Sequence, residues 1–245
     1  MQEQVTGLVL SVSPIGEYDK RLVVLTKEHG KISAFARGAR RPTSPLLACT
    51  QPFTFGSFCI YKGRSSYTIS QIEVQNYFIE LQEDLGRVSY AYYFCELADY
   101  FSVENVDGTD VLKLLYQSFR ALIHPSFTER LVRCIFEWKL LALNGEAARV
   151  FSCIRCGSKE NLHIFVPEEQ GILCENCGKG VGGIQISETA AYTLQRILSA
   201  KPEHLYSFSV SETVLNELES VSSAYLKNRV QKQFHSLDMF CLNLS

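Results

Sequence analysis

Two cysteine pairs constrain the fold of this chain more than any other feature of its sequence. Each pair has the pattern C-x-x-C-G, as CIRCG at Cys153 and Cys156 and as CENCG at Cys174 and Cys177, and seventeen residues separate the pairs. Each pair can supply two corners of a tetrahedron, and four thiolates select Zn²⁺ at about 2.3 Å per bond. The spacing therefore predicts one structural zinc ion in a module that spans residues 150–184.

Other uses of the cysteines are less consistent with this pattern. An iron–sulfur cluster or a redox dithiol would employ the same residue type, but two matched pairs favour zinc. A closed four-cysteine site has no open position for water, so we expect it to stabilise the fold, with His163 as a bystander. The remaining cysteines occur singly in largely apolar segments and are predicted to be small core residues of a protein in a reducing cytosol: Cys49, Cys59, Cys95, Cys134 and Cys241.

Residues 4–80 contain five segments with the composition of β-strands, separated by turn signals. The segments are VTGLVLSV, KRLVVLTKEHG, KISAFARG, FTFGSFCIYKG and SYTISQIEVQNYF. Between the third and fourth, residues 38–52 have room for one short helix. Five strands with a helical insert after the third predict a closed β-barrel of the OB type as a domain of residues 1–80, with a five-stranded SH3-like barrel as the alternative.

Residues 81–245 predict a mainly helical domain into which the cysteine module is inserted. Apolar residues recur at spacings of three and four in residues 84–104, 110–124 and 128–145, which indicates three helices. The helical pattern returns over residues 187–245, where Ser209 and Glu212 have the spacing of a capping box and the pattern continues to Phe240 and Cys241. The expected fold class is α+β and multidomain.

Charge is distributed unevenly along the 245 residues. The formal net charge is −2, yet residues 1–80 carry nine basic against six acidic residues, whereas the remainder carries fifteen against twenty. No acidic residue occurs from Lys31 through Ile72. This asymmetry favours a localised anionic partner. The N-terminus does not resemble a signal peptide, and no run of about 18 apolar residues predicts a membrane span.

The basic residues of the predicted barrel are interleaved with aromatic residues, a combination that suits nucleic acid. Arginine forks bind phosphate, and aromatic faces stack on bases. The candidate DNA-binding residues are Lys20, Arg21, Lys31, Arg37, Arg40, Arg41, Lys62 and Arg64, and the interleaved aromatic residues are Tyr18, Phe35, Phe53, Tyr61 and Tyr67. Alternatively, the charges form a solvated rim and the aromatic rings fill the barrel. Spacing alone does not place these charges on one face.

Three short motifs occur in a fixed order in the predicted barrel: GARR at residues 38–41 is followed by QPF at residues 51–53, and YDKRLVVLTKEHGKI precedes both. Together they are similar to motifs of the RecO family of bacterial DNA-repair and recombination-mediator proteins. The helical domain with embedded cysteine pairs completes a resemblance that covers the whole chain. The family's basic barrel residues correspond to Arg37, Arg40 and Arg41. PTSPL at residues 42–46 departs from the family, which often has further basic residues there.

The resemblance implies a protein without enzymatic activity. It implies binding of single- and double-stranded DNA, annealing of complementary strands, partnership with RecR and single-strand-binding protein, and help in loading RecA. It also implies that the four cysteines bind zinc, although not all family members keep them, and that the protein works in the bacterial cytoplasm at the nucleoid. The resemblance supplies no contact sites for RecR or single-strand-binding protein.

Three alternatives remain open at the level of sequence. NAD-dependent DNA ligases also combine an OB barrel with a four-cysteine module, but the K-x-D-G motif that carries their nucleophile does not occur here. A barrel that binds RNA would show the same charge pattern, and so would an adaptor whose arginines meet an acidic peptide. Basic residues of the helical segments, Arg130 and Arg133 among them, either extend the DNA surface or are solvated.

Overall fold

The computed structural model describes residues 2–64, 66–232, 234 and 236. The strands in this part of the chain are β1 (Gln2–Ile15), β2 (Asp19–Thr26), β3 (Gly30–Ala36), β4 (Phe55–Lys62), β5 (Tyr67–Asn76), β6 (Leu162–Val166), β7 (Gly171–Cys174) and β8 (Ile184–Gln185). The α-helices are α1 (Leu46–Cys49), α2 (Leu85–Phe101), α3 (Thr109–Ile123), α4 (Glu129–Leu143), α5 (Glu175–Gly178), α6 (Glu188–Ser199) and α7 (Glu212–Lys227). Short 3-10 helices occupy Ile79–Glu83 and Pro202–His204.

The first five strands form a closed barrel with the neighbour order β1-β2-β3-β5-β4. The long β1 closes it by pairing with both β2 and β4, and β3 with β5 is the parallel pair among these strands. Alternate side chains point inward because the side-chain period of a strand is two. Aliphatic and aromatic residues such as Val5, Ile32 and Phe58 fill the interior. The five predicted strands and the short helix after the third are confirmed.

The barrel shares a compact unit with α2 and α3, which extends to Ile123 and includes the described residues Phe234 and Ser236. Aromatic residues pack beside the barrel in this unit: the ring of Phe53 lies 5.4 Å from that of Phe119, and Phe78 lies 5.2 Å from the same ring. Asp84 caps α2 by accepting a hydrogen bond from the Arg87 amide. Both helices of this unit were predicted and are confirmed.

The second compact unit begins at His124 and contains α4, α6, α7 and the cysteine module. The module has a three-stranded sheet in the order β7-β6-β8. Its Phe165 is fully buried, 5.8 Å from the ring of Trp138 on α4 and 5.8 Å from that of Tyr225 on α7. The cysteine module is therefore anchored in the helical core by a side chain of its own.

The start of α7 differs from the prediction by two residues. Ser211 is the N-cap, since its side chain accepts a hydrogen bond from the Val214 amide, and Ser209 precedes the helix. The helix ends at Lys227. The predicted helical positions Leu237, Phe240 and Cys241 lie outside the described residues.

Three of the single cysteines behave as predicted. Cys49, Cys95 and Cys134 are buried. Cys59 is half-buried on the outer side of β4, where its Sγ accepts a hydrogen bond from the Gln2 side chain, so its assignment to the core was wrong. The fifth, Cys241, lies outside the described residues.

Candidate metal centre and nucleic-acid interface

The four paired cysteines converge on one point. Their Sγ atoms all lie within 4.8 Å of one another, and Cys156 Sγ is 3.7 Å from Cys174 Sγ. Four thiolates around a tetrahedral ion at about 2.3 Å lie about 3.8 Å apart. The donor set and its spacing therefore fit a metal ion. Within the described residues, this is the one cluster of three or more His, Cys, Asp or Glu side chains with such spacing.

The glycines that follow each pair serve different purposes. Gly157 has φ of +77°, in the left-handed region that favours glycine, and its amide donates to the Cys153 carbonyl at 2.9 Å. Gly178 does not adopt such a φ. A Cβ atom on it would lie 2.4 Å from Ile164 Cδ1. The first glycine thus permits a tight turn, whereas the second leaves room for a neighbouring side chain.

Electrostatics at the cysteines favours a bound cation. Burial disfavours the Cys153 thiolate, but the backbone amides of Cys174, Cys156 and Arg155 donate to its Sγ and lower its pKa to about 6. Hydrogen bonding to Cys156 and Cys174 instead raises the pKa of Cys177 to about 12. A metal ion binds thiolates, so all four thiols must lose their protons when it binds. A cation at the centre would supply the missing stabilisation.

Three of the predicted DNA-binding residues share one exposed turn. We call residues 37–41 the arginine turn; Arg37, Arg40 and Arg41 are all exposed there, directly after β3. Gly38 has φ of +66°, which allows the chain to reverse. The turn lies beside the β1–β2 connection: the Arg40 amide donates to the Tyr18 carbonyl at 2.8 Å, and the Arg41 guanidinium lies 5.0 Å from the Tyr18 ring.

Two predicted DNA-binding lysines are engaged within the protein instead. Lys20 is 9% exposed, and its Nζ donates to the carbonyl and hydroxyl oxygens of Thr50 at 3.0 and 2.9 Å. Burial lowers the pKa of Lys20. Lys31 Nζ forms an ion pair with Asp99 Oδ1 at 3.1 Å and also donates to the Asp99 carbonyl. We therefore leave both lysines out of the proposed DNA surface.

A cation and two rings lie in one row on the outer wall of the barrel. Strand register places Arg21 opposite Phe35, Phe35 opposite Thr68, and Thr68 opposite Tyr61. Arg21 and Tyr61 are exposed, and Phe35 is half-buried. Arg21 Nε donates to the Ser33 hydroxyl at 2.9 Å, which orients the guanidinium along this wall.

The β4–β5 turn carries the remaining two basic residues, Lys62 and Arg64, both exposed. This turn belongs to the end of the barrel that holds the β2–β3 turn, because β4 ends opposite the start of β1. The arginine turn is at the other end. Lys62 Nζ lies 5.7 Å from the ring of Tyr67, which is itself buried.

Of the five interleaved aromatic residues, two belong to the core. Phe53 and Tyr67 are 1% and 2% exposed, so neither ring is available to stack on a base. Tyr18 and Tyr61 are each 42% exposed and remain candidates. The ring of Tyr67 belongs to the barrel core, as in the alternative in which aromatic rings fill the barrel, whereas the ring of Phe53 packs beside the barrel against Tyr92 and Phe119.

Basic residues of the first helix of the second unit are neutralised locally. Arg130 is held by the carboxylates of Glu212 and Glu219 on α7, and Arg133 Nε lies 2.7 Å from Glu137 Oε1. The contacts of Arg130 tie α4 to α7, whereas the pair of Arg133 and Glu137 lies within α4. They favour a structural role for these arginines over a role in DNA binding.

Comparison with known families adds to this geometry. A family model described as "Recombination protein O N terminal" matches residues 1–78, and one described as "Recombination protein O C terminal" matches residues 82–238. This chain belongs to the RecO family. The DNA repair protein RecO of Acetivibrio thermocellus is 36% identical over 236 residues, which cover 95% of this chain and 94% of that protein.

Further RecO proteins match at similar length. The DNA repair protein RecO of Symbiobacterium thermophilum is 34% identical over 237 residues, covering 95% of this chain and 94% of the relative. That of Alkaliphilus metalliredigens is 32% identical over 236 residues, covering 95% and 96%. The RecO relatives are thus named for DNA repair and match nearly end to end. Across the described ranges, no helix combines the length and the apolar character that crossing a bilayer would require.

Proposed function

We propose that this RecO-family chain is a non-enzymatic mediator of recombination in DNA repair. It binds single- and double-stranded DNA, anneals complementary strands and, with RecR, helps to load RecA onto DNA coated by single-strand-binding protein. The observation that carries the proposal is the arginine turn, in which three exposed arginines occur within five residues at one end of a barrel. Phosphate groups stabilise such a cluster, because each guanidinium can donate two hydrogen bonds to a phosphate and the charges attract.

The barrel provides a track for a single strand. The arginine turn binds backbone at one end, Lys62 and Arg64 bind it at the other, and Tyr61 and Phe35 offer faces to bases between them. The strand register sets Lys62 opposite Tyr67 and Tyr67 opposite Ala34, three residues before Arg37, so a strand of a few nucleotides could contact both basic turns. The strand order β1-β2-β3-β5-β4, with a helix between the third and fourth strands, supports assignment to the OB type.

Annealing then requires no bond chemistry from the protein. Guanidinium groups that neutralise phosphates reduce the repulsion between two strands and raise their local concentration. Base pairing supplies the free energy. The exposed side chains assembled on the barrel wall are cationic, aromatic and hydroxyl groups, a set suited to binding. A cytoplasmic, nucleoid-associated location follows from this role.

The metal of the cysteine module is proposed to be one structural Zn²⁺. Cys153, Cys156, Cys174 and Cys177 would hold it, and four thiolates leave no coordination position for substrate. Its chemistry when bound is to neutralise the thiolates and hold the two knuckles together. The boundary between the family models supports a further proposal, that a barrel domain of residues 1–80 is followed by a helical domain with the module inserted.

The deciding experiment is oligonucleotide annealing across a salt series. The variant Arg37, Arg40, Arg41→Ala is compared with wild type, and a control removes the same charge from exposed lysines of the second unit: Lys159, Lys179 and Lys201. Each lost phosphate contact lowers the slope of log affinity against log salt by about 0.7 to 0.9. We expect the magnitude of this slope to fall by about two to three in the arginine variant, which should also lose most of its annealing activity. The control should change little in either measurement.

Unchanged annealing and slope in a folded arginine variant would contradict the proposal. RNA oligomers of matched sequence test the principal alternative, because equal or tighter competition by RNA would favour an RNA-binding role. DNA binding that is weak and insensitive to salt, beside tight binding of an acidic peptide, would favour an adaptor.

A further inference from the structure

Residues 18–20, where the β1–β2 connection enters β2, contact the segment of residues 38–50 at its start, its middle and its end. Asp19 Oδ1 accepts a hydrogen bond from the Gly38 amide at 2.7 Å. The Tyr18 carbonyl accepts from the Arg40 amide, and the Tyr18 ring lies under the Arg41 guanidinium. Lys20 Nζ donates to Thr50 at the end of α1. Residues 18–20, which we call the clamp, thus hold the whole of residues 38–50.

The segment needs such support because it has little structure of its own. Between the end of β3 and the start of α1, its internal backbone hydrogen bonds include Arg41 N to Gly38 O at 3.0 Å and Ser44 N to Arg41 O at 3.0 Å. Its three guanidinium groups repel one another, and Gly38 occupies a conformation that other residues rarely adopt. A segment that is ordered only when DNA arrives would bind more weakly, since the cost of ordering would be subtracted from the affinity.

Asp19 is the informative member of the clamp. It places a negative charge beside a surface proposed to bind phosphate, which by charge alone should weaken DNA binding. Its carboxylate is half-buried and directed at the Gly38 amide, the first hydrogen-bond donor of the reversal that presents Arg40 and Arg41. Hydrogen bonds to charged acceptors are among the stronger ones in proteins. The effects of charge and of geometry therefore have opposite signs at this residue.

We propose that Asp19 is a positioning residue for DNA binding, whose hydrogen bond to Gly38 strengthens binding by more than its charge weakens it. This inference rests on the proposed function of the arginine turn. Asp19 touches no phosphate. It acts through the backbone conformation of the arginine turn.

The test separates the hydrogen bond from the charge. Asp19→Ala removes both, whereas Asp19→Asn removes the charge and keeps an oxygen that can accept from the Gly38 amide. Glu28→Ala is the matched control, because Glu28 Oε2 accepts from the Thr6 amide at 3.0 Å near the other end of the barrel. Dissociation constants are measured with fluorescein-labelled oligo-dT at one salt concentration, and hydrogen exchange of the Gly38 amide is followed without DNA.

We expect Asp19→Ala to raise the dissociation constant on the order of tenfold and to speed exchange at Gly38. Asp19→Asn should restore binding to within about threefold of wild type, and Glu28→Ala should leave it unchanged or slightly tighter. Should Asp19→Ala not fold, Asp19→Ser replaces it, because its shorter, uncharged side chain places the hydroxyl farther from the Gly38 amide; we expect it to weaken binding about threefold.

Binding by Asp19→Ala that equals or exceeds wild type would overturn the inference, and so would equal losses in the Ala and Asn variants. If Asp19→Ala does not fold, unchanged binding by Asp19→Ser has the same consequence. These outcomes differ from failure of the proposed function. If the triple arginine variant binds oligo-dT as wild type does, the proposed function fails; if that variant loses binding while Asp19→Ala retains it, only the role of Asp19 is refuted.

Discussion

Phe165 is the side chain through which the cysteine module is anchored in the second unit, and its removal provides a direct test of that anchoring. It lies on β6, which pairs with the strand that ends in Cys174. Its ring is fully buried and contacts Trp138 and Tyr225 edge-on, with centroids 5.8 Å apart in both cases. The variant Phe165→Ala leaves the four cysteines intact.

The magnitude follows from burial and ring contacts. Truncating a buried Phe to Ala costs about 3 to 5 kcal/mol, which combines lost transfer energy with the cavity that remains. That measured range already includes contacts between rings, which are worth about 0.5 to 1.5 kcal/mol per pair, and Phe165 forms two such pairs. We expect Phe165→Ala to lower the free energy of unfolding of the second unit by about 4 kcal/mol, a large share of the roughly 5 to 15 kcal/mol typical of a domain.

Urea denaturation followed by circular dichroism measures this loss, and metal analysis shows whether the ion is retained. Phe151→Ala is the control, because Phe151 lies in the same module but is 51% exposed and should change stability by about 0.5 kcal/mol or less. The reasoning is refuted if Phe165→Ala destabilises the protein no more than the control does. It is also refuted if the metal is lost while the unfolding midpoint stays unchanged.

Two further predictions concern the metal and a tight backbone approach. Cys174→Ser should lose the one bound metal ion and leave residues 150–184 open to proteolysis; equal metal content in variant and wild type, by elemental analysis, would contradict this. Gly30→Ala should lower the free energy of unfolding by about 2 to 4 kcal/mol in a denaturant titration, because its φ is +62° and a Cβ would lie 2.3 Å from the Val103 carbonyl oxygen. Gly145→Ala is the control, because Gly145 has φ of +78° and no atom lies within 4 Å of the added Cβ. It should lower the free energy of unfolding by only about 1 to 2 kcal/mol, which is the cost of the backbone conformation alone. An equal loss in both variants would show that the close approach to Val103 does not matter.

The helices and strands of this fold could be predicted from the sequence because the patterns that indicate them involve residues close together in the chain. Period-two alternation and turn residues marked the five strands of the barrel, and spacings of three and four marked α2, α3 and α4. The start of α7 was missed since Ser209 and Ser211 both precede Glu212, and only the hydrogen bond from the Val214 amide identifies the cap. Composition alone does not distinguish two serines so close together.

The cysteine cluster and part of the basic surface could be predicted for the same reason. Spacing identified the cysteine set, and the density of arginine identified the arginine turn. The engagement of Lys20 with Thr50 and of Lys31 with Asp99 was hidden, because those partners are 30 and 68 residues away in the chain. Tyr67 was predictable in principle, since it shares strand parity with the buried Ile69.

Two further features of the folded chain had no local signal. Phe53 adopts a left-handed φ of +69°, which no residue pattern announces, and its ring packs against those of Tyr92 and Phe119. The role of Asp19 was equally hidden, because its partner Gly38 is nineteen residues away. What sequence spacing cannot supply is the identity of the neighbour that a side chain meets after folding.

Trp138 is the only tryptophan in the chain, and it stacks on Tyr225 beside Phe165. Its indole is fully shielded from water in the folded second unit. Tryptophan emission, excited at wavelengths that the tyrosines do not absorb, therefore reports on one location without any label. Separation of the cysteine module from α4 and α7 would expose the indole to water and shift its emission to longer wavelength. A conformational change within the barrel alone would leave that emission unchanged.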